Sequence, residues 1–267
     1  MPGSESVAPQ IAQHTPPNEP KLSVRGLTVS YTSRGKSVTP FADVDFDVQD
    51  GEFICIIGPS GAGKSTLLFA LAGLVPPSGG TIELAGRMID GPGGDRAVVF
   101  QDDAVFPWYT VEKNAAYGPA AAGWSASQRE RAVEESLRLV GLADRRKFYP
   151  GQLSGGMRKR VDVARAFAGD PETILMDEPF GGLDTMTKEG LQEAILHIWE
   201  TKKKTIIFVT HDLEEAAFLA DRVFVLQKGG GLQIMPIELP RPRTASMRTE
   251  PALQDYRRRA EGDTHGH

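Results

Sequence analysis

A single cysteine, Cys55, among 267 residues leaves no partner for a disulfide within the chain. That excludes a cross-linked scaffold and suits a reducing compartment. Set in the apolar run FICII, Cys55 reads as a small buried hydrophobe. Long apolar runs are also missing. The longest, LLFALAGLV, is nine residues, against the ~20 that a membrane-spanning helix needs. The opening segment MPGSESVAPQIAQHTPPNEP has neither a basic start nor an apolar core, so no signal peptide is expected and the chain reads as cytosolic. Nor is there a basic excess: the net charge is −5, so no nucleic-acid partner is expected. What is present, 40% hydrophobic and 24% charged residues, is an ordinary globular composition with enough apolar material for a core.

Residues 1–20 hold five prolines and almost no large apolar side chains, which predicts a disordered leader. From Lys21 to about Val48, LSVRGLTVSY and the alternating FADVDFDV predict antiparallel strands with one buried face. Six apolar runs follow, four of them closing on Gly, Asp-Glu or Thr-His: FICIIG, TIELAG (81–86), AVVF, TILMDE, TIIFVTH and RVFVL. Strands this apolar suit a parallel sheet covered by helices on both faces. Between about 109 and 170 the periodicity turns helical. There Ser127 and Glu130 fit a capping box, followed by Val133, Leu137 and Val140, with Gly141 closing the helix. The expected fold is α/β: a core with a mixed sheet, whose P-loop ATPase character rests on the motifs GPSGAGKST (58–66) and ILMDEP (174–179) read below, an N-terminal antiparallel β-subdomain and an inserted α-helical subdomain, together spanning 21–240. The tail from about 229, Gly-rich and then Pro- and Arg-rich, shows no strong element, and 241–267 reads as a polar tail.

GPSGAGKST (58–66) meets G-x-x-x-x-G-K-[ST] directly after FICII and before a helix-like run. Gly58, Gly61 and Gly63 let the backbone curl so that successive N–H groups face one anion, with Pro59, Ser60 and Ala62 completing the loop. Lys64 is expected to reach the β- and γ-phosphates of ATP. Ser65 would supply a hydroxyl to Mg²⁺, and Thr66 a contact to the α-phosphate.

ILMDEP puts Asp177 and Glu178 at the end of an apolar strand, at the sheet edge where α/β folds bind ligands. Asp177 suits a role in holding Mg²⁺, and Glu178, one residue on, that of general base toward water. Gln101 and His211 each follow a buried strand. Gln101 suits a neutral ligand to Mg²⁺ and the lytic water, and His211 a donor to the γ-phosphate. For His211, spacing alone equally allows a structural or solvated strand-end residue.

LSGGMRKR (153–160) presents a second anion cradle: the Ser154 hydroxyl and the N–H groups of Gly155 and Gly156, with a helix start behind them. The first site is already furnished. The economical arrangement is a head-to-tail homodimer in which each chain caps the other's ATP.

With these motifs in order, the sequence resembles the ATP-binding cassette (ABC) ATPases, over about residues 22–240. The resemblance rests on GPSGAGKST, the glutamine of VVFQDD, LSGGM, ILMDEP, GGLD and the histidine of VTHD. It implies the roles given above, and adds Tyr31 stacking on adenine and Asp184 addressing the partner's site. Three departures stand out: Met157 and Lys159 where Gln is more usual, and Gly182 in GGLD where the family more often has GALD. VVFQDDAVFPWYTVEKNAAYG and IELPRPR look like the importer branch that handles nitrate, sulfonates and taurine. That implies permease subunits in the inner membrane, an extracytoplasmic solute-binding protein and peripheral attachment on the cytoplasmic face. Phe106, Pro107 and Trp108 either line a groove for a short permease helix or pack under the helical insert; the sequence admits both. A soluble ABC-type clamp without transport is the alternative reading. A small-molecule kinase would leave LSGGM without a task. The YRRRA stretch near the end reads as solvated tail or as a contact to lipid or partner.

Overall fold

Two kinds of strand patterning produce two sheets in the computed structural model, which describes residues 19–33 and 35–264. The leader expected at the N-terminus lies almost wholly outside the described residues. Strands β1 (Leu22–Ser33) and β2 (Lys36–Val48) pair antiparallel. Next come β3 (Phe53–Ile57), helix α1 (Lys64–Leu71), β4 (Gly79–Leu84), the two-residue β5 (Arg87–Met88) and β6 (Arg96–Val99). Four helices follow: α2 (Val111–Ala115), α3 (Tyr117–Ala121), α4 (Ala126–Leu139) and α5 (Gly155–Ala168). The chain then runs through β7 (Thr173–Asp177), α6 (Thr185–Lys202), β8 (Thr205–Val209), α7 (Leu213–Leu219), β9 (Arg222–Leu226), β10 (Leu232–Pro236) and α8 (Pro251–Thr264).

The larger sheet has strand order β10-β9-β3-β8-β7-β6 and is parallel except for β10. Every residue of β3, β7 and β8 is buried, as expected of strands covered on both faces. One core, built around Phe41, Phe46, Ile54, Leu67 and Leu68, joins this sheet to α1 and to the antiparallel sheet. The other, around Phe53, Phe167, Ile195, Phe208 and Phe218, lies under α5, α6 and α7. Cys55 is fully buried in it.

The antiparallel sheet has order β2-β1-β4-β5. TIELAG, grouped by the sequence reading with the buried parallel strands, belongs here instead: Leu22 pairs with Leu84 and Val24 with Ile82. Only Ile82 and Leu84 of β4 are buried. Glu83 between them is the alternation of a strand with one wet face.

The cap of α4 is also corrected. The box is Ser125 and Gln128, not Ser127 and Glu130. The Ser125 backbone is still extended (φ −62°, ψ 159°), its Oγ accepts the Gln128 N–H, and Gln128 returns the bond to the Ser125 N–H. The helix therefore starts two residues earlier, although Val133 and Leu137 face the core and Gly141, at φ 68°, ends it as expected.

The stretch from 229 carries more structure than its composition suggests. Strand β10 extends the sheet, α8 buries Leu253, and the buried Arg243 guanidinium donates to the carbonyls of Ala217, Phe218 and Ala220 at the end of α7. A cation there satisfies the orphan carbonyls of the helix C-terminus and complements its dipole.

Candidate functional site

Between the end of β3 and the start of α1 the chain must reverse within six residues, and it does so through positive φ at Gly58, Gly61 and Gly63. At Gly63 (φ 96°) there is also no room: a Cβ would lie 2.7 Å from Pro40 Cβ and 3.0 Å from Phe41 Cδ1. We expect Gly63→Ala to lose ATP binding and about 1–3 kcal/mol of stability, read as a lower Tm that ATP no longer raises. Around this turn Ser60 and Gly61 are exposed, Ala62 is buried, and Ser65 and Thr66 sit half-buried in the first turn of α1. The Lys64 ammonium folds back to donate to the carbonyls of Gly58 (2.9 Å) and Pro59 (3.2 Å), along the rim of the cradle.

Asp177, the last residue of β7, accepts a 3.0 Å hydrogen bond from Ser65 Oγ. Burial pushes its carboxyl above the usual range, opposed by the Ser65 hydrogen bond and reinforced by the Glu178 charge. Burial likewise pulls the Lys64 ammonium below its usual value, against the attraction of Glu178 and Asp177. Both groups gain from a bound ligand of the right sign: a phosphate chain at Lys64 and a divalent cation between Ser65 and Asp177. The oxygen donors there, a hydroxyl and a carboxylate, are the set a hard cation such as Mg²⁺ takes. The residues present therefore fit both ATP and Mg²⁺.

Strand register then brings three distant side chains to one edge. Val99 pairs with Met176 and Asp177 with Val209, so the residues just past β6, β7 and β8 emerge side by side. At Glu178 the backbone turns left-handed (φ 41°), a conformation a non-glycine residue rarely keeps without tertiary support. That turn breaks the strand alternation. The Glu178 carboxylate then meets Gln101 Nε2 at 3.4 Å and His211 Nδ1 at 3.1 Å. A carboxylate only accepts, so both nitrogens donate, and the Gln101 side-chain oxygen remains unused by this contact. Glu178 and His211, with Gly182 and Thr210, line a cleft of about 180 Å³.

The second cradle lies at the start of α5, where Gly155 shares a cleft with Gln101 and Gly182. Ser154 N-caps α5: its Oγ accepts the Met157 N–H at 3.3 Å and keeps its own proton to donate outward. Ser154 and Gly155 are exposed, while Gly156 packs so closely that a Cβ would come 3.1 Å from Thr187 Cγ2. Gly156 therefore has a packing role as well. Asp184, exposed, N-caps α6 by accepting the Thr187 N–H, and hydrogen bonding from Thr187, by its side chain first and then its N–H, holds the carboxyl below the usual range. Gly182, the departure in GGLD, adopts φ 74°, which suits glycine better than alanine. Tyr31 is 46% exposed on β1, next to the part of the β1–β2 ribbon whose Phe41 packs on Gly63.

The aromatic loop is packed at one end and exposed at the other. Phe106 is half-buried, with Arg165 over its ring and Tyr117 4.7 Å away. Trp108 is 67% exposed. The buried Asn114 amide fixes the loop by accepting the Phe106 N–H and donating to the carbonyls of Phe106, Tyr109 and Thr110.

Residues that the sequence reading passed over hold the His211 turn. Lys188 of α6 bonds both Asp212 and Glu215 at 2.7 Å, and Thr210 Oγ1 donates to Glu215 at 2.6 Å. Asp212 caps α7 through the N–H groups of Glu214 and Glu215. The string Asp-Leu-Glu-Glu after a strand was the available signal for that cap; the Lys188 contact had none.

Comparison with known proteins follows the same lines. A family model described as ABC transporter matches residues 41–181. The nitrate import ATP-binding protein NrtD of Synechococcus elongatus is 44% identical over 247 residues, 87% of this chain and 90% of that protein. The bicarbonate transport ATP-binding protein CmpD of the same organism is 42% identical over 238 residues, 87% of this chain and 86% of its own length. Among solved structures, the dimeric post-hydrolysis state of the ATP-binding cassette MJ0796, bound to ADP and Pi, superposes with a TM-score of 0.74 at 27% identity, covering 82% of this chain and all of that one.

Proposed function

From its membership of the ABC transporter family, we propose that this chain is the ATP-hydrolysing subunit of an importer for a small anion, working as a homodimer around two ATP·Mg²⁺. The observation that carries the reading is Glu178, held by Gln101 and His211 at the same sheet edge as the Ser65–Asp177 pair and the phosphate loop. The dimer is supported by the outward-facing Ser154 cradle and by the dimeric cassette cited above. The anion class is supported by the relatives named for nitrate and bicarbonate.

In this reading the cradle N–H groups and Lys64 bind the β- and γ-phosphates, and Tyr31 stacks on adenine. Ser65, Asp177 and the Gln101 side-chain oxygen would hold Mg²⁺, which when bound would supply positive charge beside the phosphates. Glu178 takes a proton from water as its oxygen bonds to the γ-phosphorus, and the bond to the β–γ bridging oxygen breaks to leave ADP. His211 turns its N–H from Glu178 to the charge growing on the γ-phosphoryl oxygens. Across the dimer, Ser154, Gly155 and Gly156 of one chain cap the partner's ATP, and Asp184 addresses the same site.

No helix among the described residues is long and apolar enough to cross a membrane. In the importer reading, carried by the relatives named for nitrate and bicarbonate transport, force passes to a docked permease on the cytoplasmic face of the inner membrane. Trp108, exposed on a loop that Asn114 holds rigid, is the contact we assign to it. Mild-detergent capture of the tagged chain from its native membranes is expected to bring down a multi-span permease together with an exported solute-binding protein. Trp108→Ala should lose both while retaining the basal ATPase. Recovery of soluble partners alone would favour an ATP-driven clamp and overturn the transport reading.

A further inference from the structure

The Lys159 departure from the usual signature has a physical task. Lys159 is 2% exposed, and its ammonium donates to two successive carbonyls, Phe100 (2.6 Å) and Gln101. Two more side chains of the same helix grip the following residues. Arg158 Nε reaches Asp103 at 2.8 Å, and Asp162 Oδ2 accepts the Ala104 N–H at 3.1 Å. The loop that leaves β6 is thus fastened to α5 rather than to the sheet.

The geometry points to Lys159 as the positioning residue for Gln101. Consecutive carbonyls of an extended chain face opposite ways. Drawing both to one ammonium curls the backbone at Gln101 and directs its side chain toward Glu178, where Nε2 lies 3.4 Å from the carboxylate. A neutral amide at position 159 would offer weaker donors and would carry an acceptor oxygen against the same carbonyls. Lys159 lies five residues, roughly 7.5 Å along the helix axis, from the Ser154 cap. One ammonium therefore joins the helix that faces the partner's nucleotide to the side chain that serves this chain's own. The inference rests on the role proposed above for Gln101 and deepens it.

The test compares Gln101→Ala, Lys159→Met and the double variant in the full chain, reading nucleotide affinity, kcat and the Mg²⁺ concentration for half-maximal hydrolysis. If Lys159 acts through Gln101, Lys159→Met keeps nucleotide affinity within about twofold and lowers kcat on the order of 10- to 100-fold. It also raises the Mg²⁺ requirement, and the double variant is no slower than Gln101→Ala alone. Lys159→Gln, which keeps a donor, is expected to recover part of the loss and carries the comparison if Lys159→Met does not fold. Unchanged kcat, or losses that multiply in the double variant, would overturn the assignment while leaving Gln101 in place. A Gln101→Ala chain of normal rate would remove the Gln101 role itself, and this inference with it.

Discussion

Glu178→Gln is expected to bind ATP as the native chain does and to hydrolyse it roughly 10²–10⁴-fold more slowly, the usual contribution of a positioned general base. The amide is nearly isosteric, so the left-handed turn and the contact to Gln101 Nε2 survive through the amide oxygen. What disappears is the capacity to take a proton from water. In the proposed dimer, with ATP held between two chains and no longer turned over, the variant should also accumulate as an ATP-locked dimer. Gel filtration with and without Mg·ATP reads the second consequence, and phosphate release the first. Near-native hydrolysis by the variant would take Glu178 out of the base role. Slow hydrolysis without dimerisation would keep the base and reject the two-fold arrangement.

A larger qualitative effect is expected from mixing two dead chains. Lys64→Ala removes the cation that turns along the cradle rim. Ser154→Arg fills the exposed start of α5 and places a guanidinium where the hydroxyl should donate. Each variant alone should be inactive. In a head-to-tail dimer of one chain of each kind, one site is doubly broken, while the other pairs an intact Lys64 with an intact Ser154. A one-to-one mixture then regains about a quarter of native activity, since half of the dimers are mixed and each carries one of two symmetric sites. A mixture as inactive as its components would show that both cradles serve a nucleotide within one chain.

These experiments rest on residues that the sequence reading had named, for reasons that differ from residue to residue. The phosphate loop is local. Its glycines, Lys64 and Ser65 lie within a single strand–turn–helix, and the φ values at Gly61 and Gly63 are those such a turn demands. Asp177 was legible because an apolar run ending in an acid marks the sheet edge. The conformation of Glu178 was not legible, since a residue before proline ordinarily stays extended. TIELAG misled because short apolar runs do not say which sheet they join; only pairing with β1 decided it. The Ser127 box failed because two overlapping capping patterns, two residues apart, compete for one helix start, and the turn at Ser125 chose between them. The tail showed no periodicity because its buried residues, Ile237, Leu239, Arg243, Met247 and Leu253, are scattered singly along it, and Arg243 is held there by the carbonyls at the end of α7.

By itself, the sequence determined the glycine turn between β3 and α1, the carboxylates that stand at the sheet edge and the capped helix start at Ser154. Each of these depends on neighbours within a few residues. The meeting of Gln101 and His211 on Glu178, across 77 and 33 residues, was decided only by tertiary structure. So was the hold of Lys159 on the Gln101 loop, across 58. Parallel register sets the first and helix-to-loop packing the second. Both are long-range geometries, one chosen by the order of strands in the sheet and the other by the docking of α5 on the loop after β6, information that no local window of residues contains.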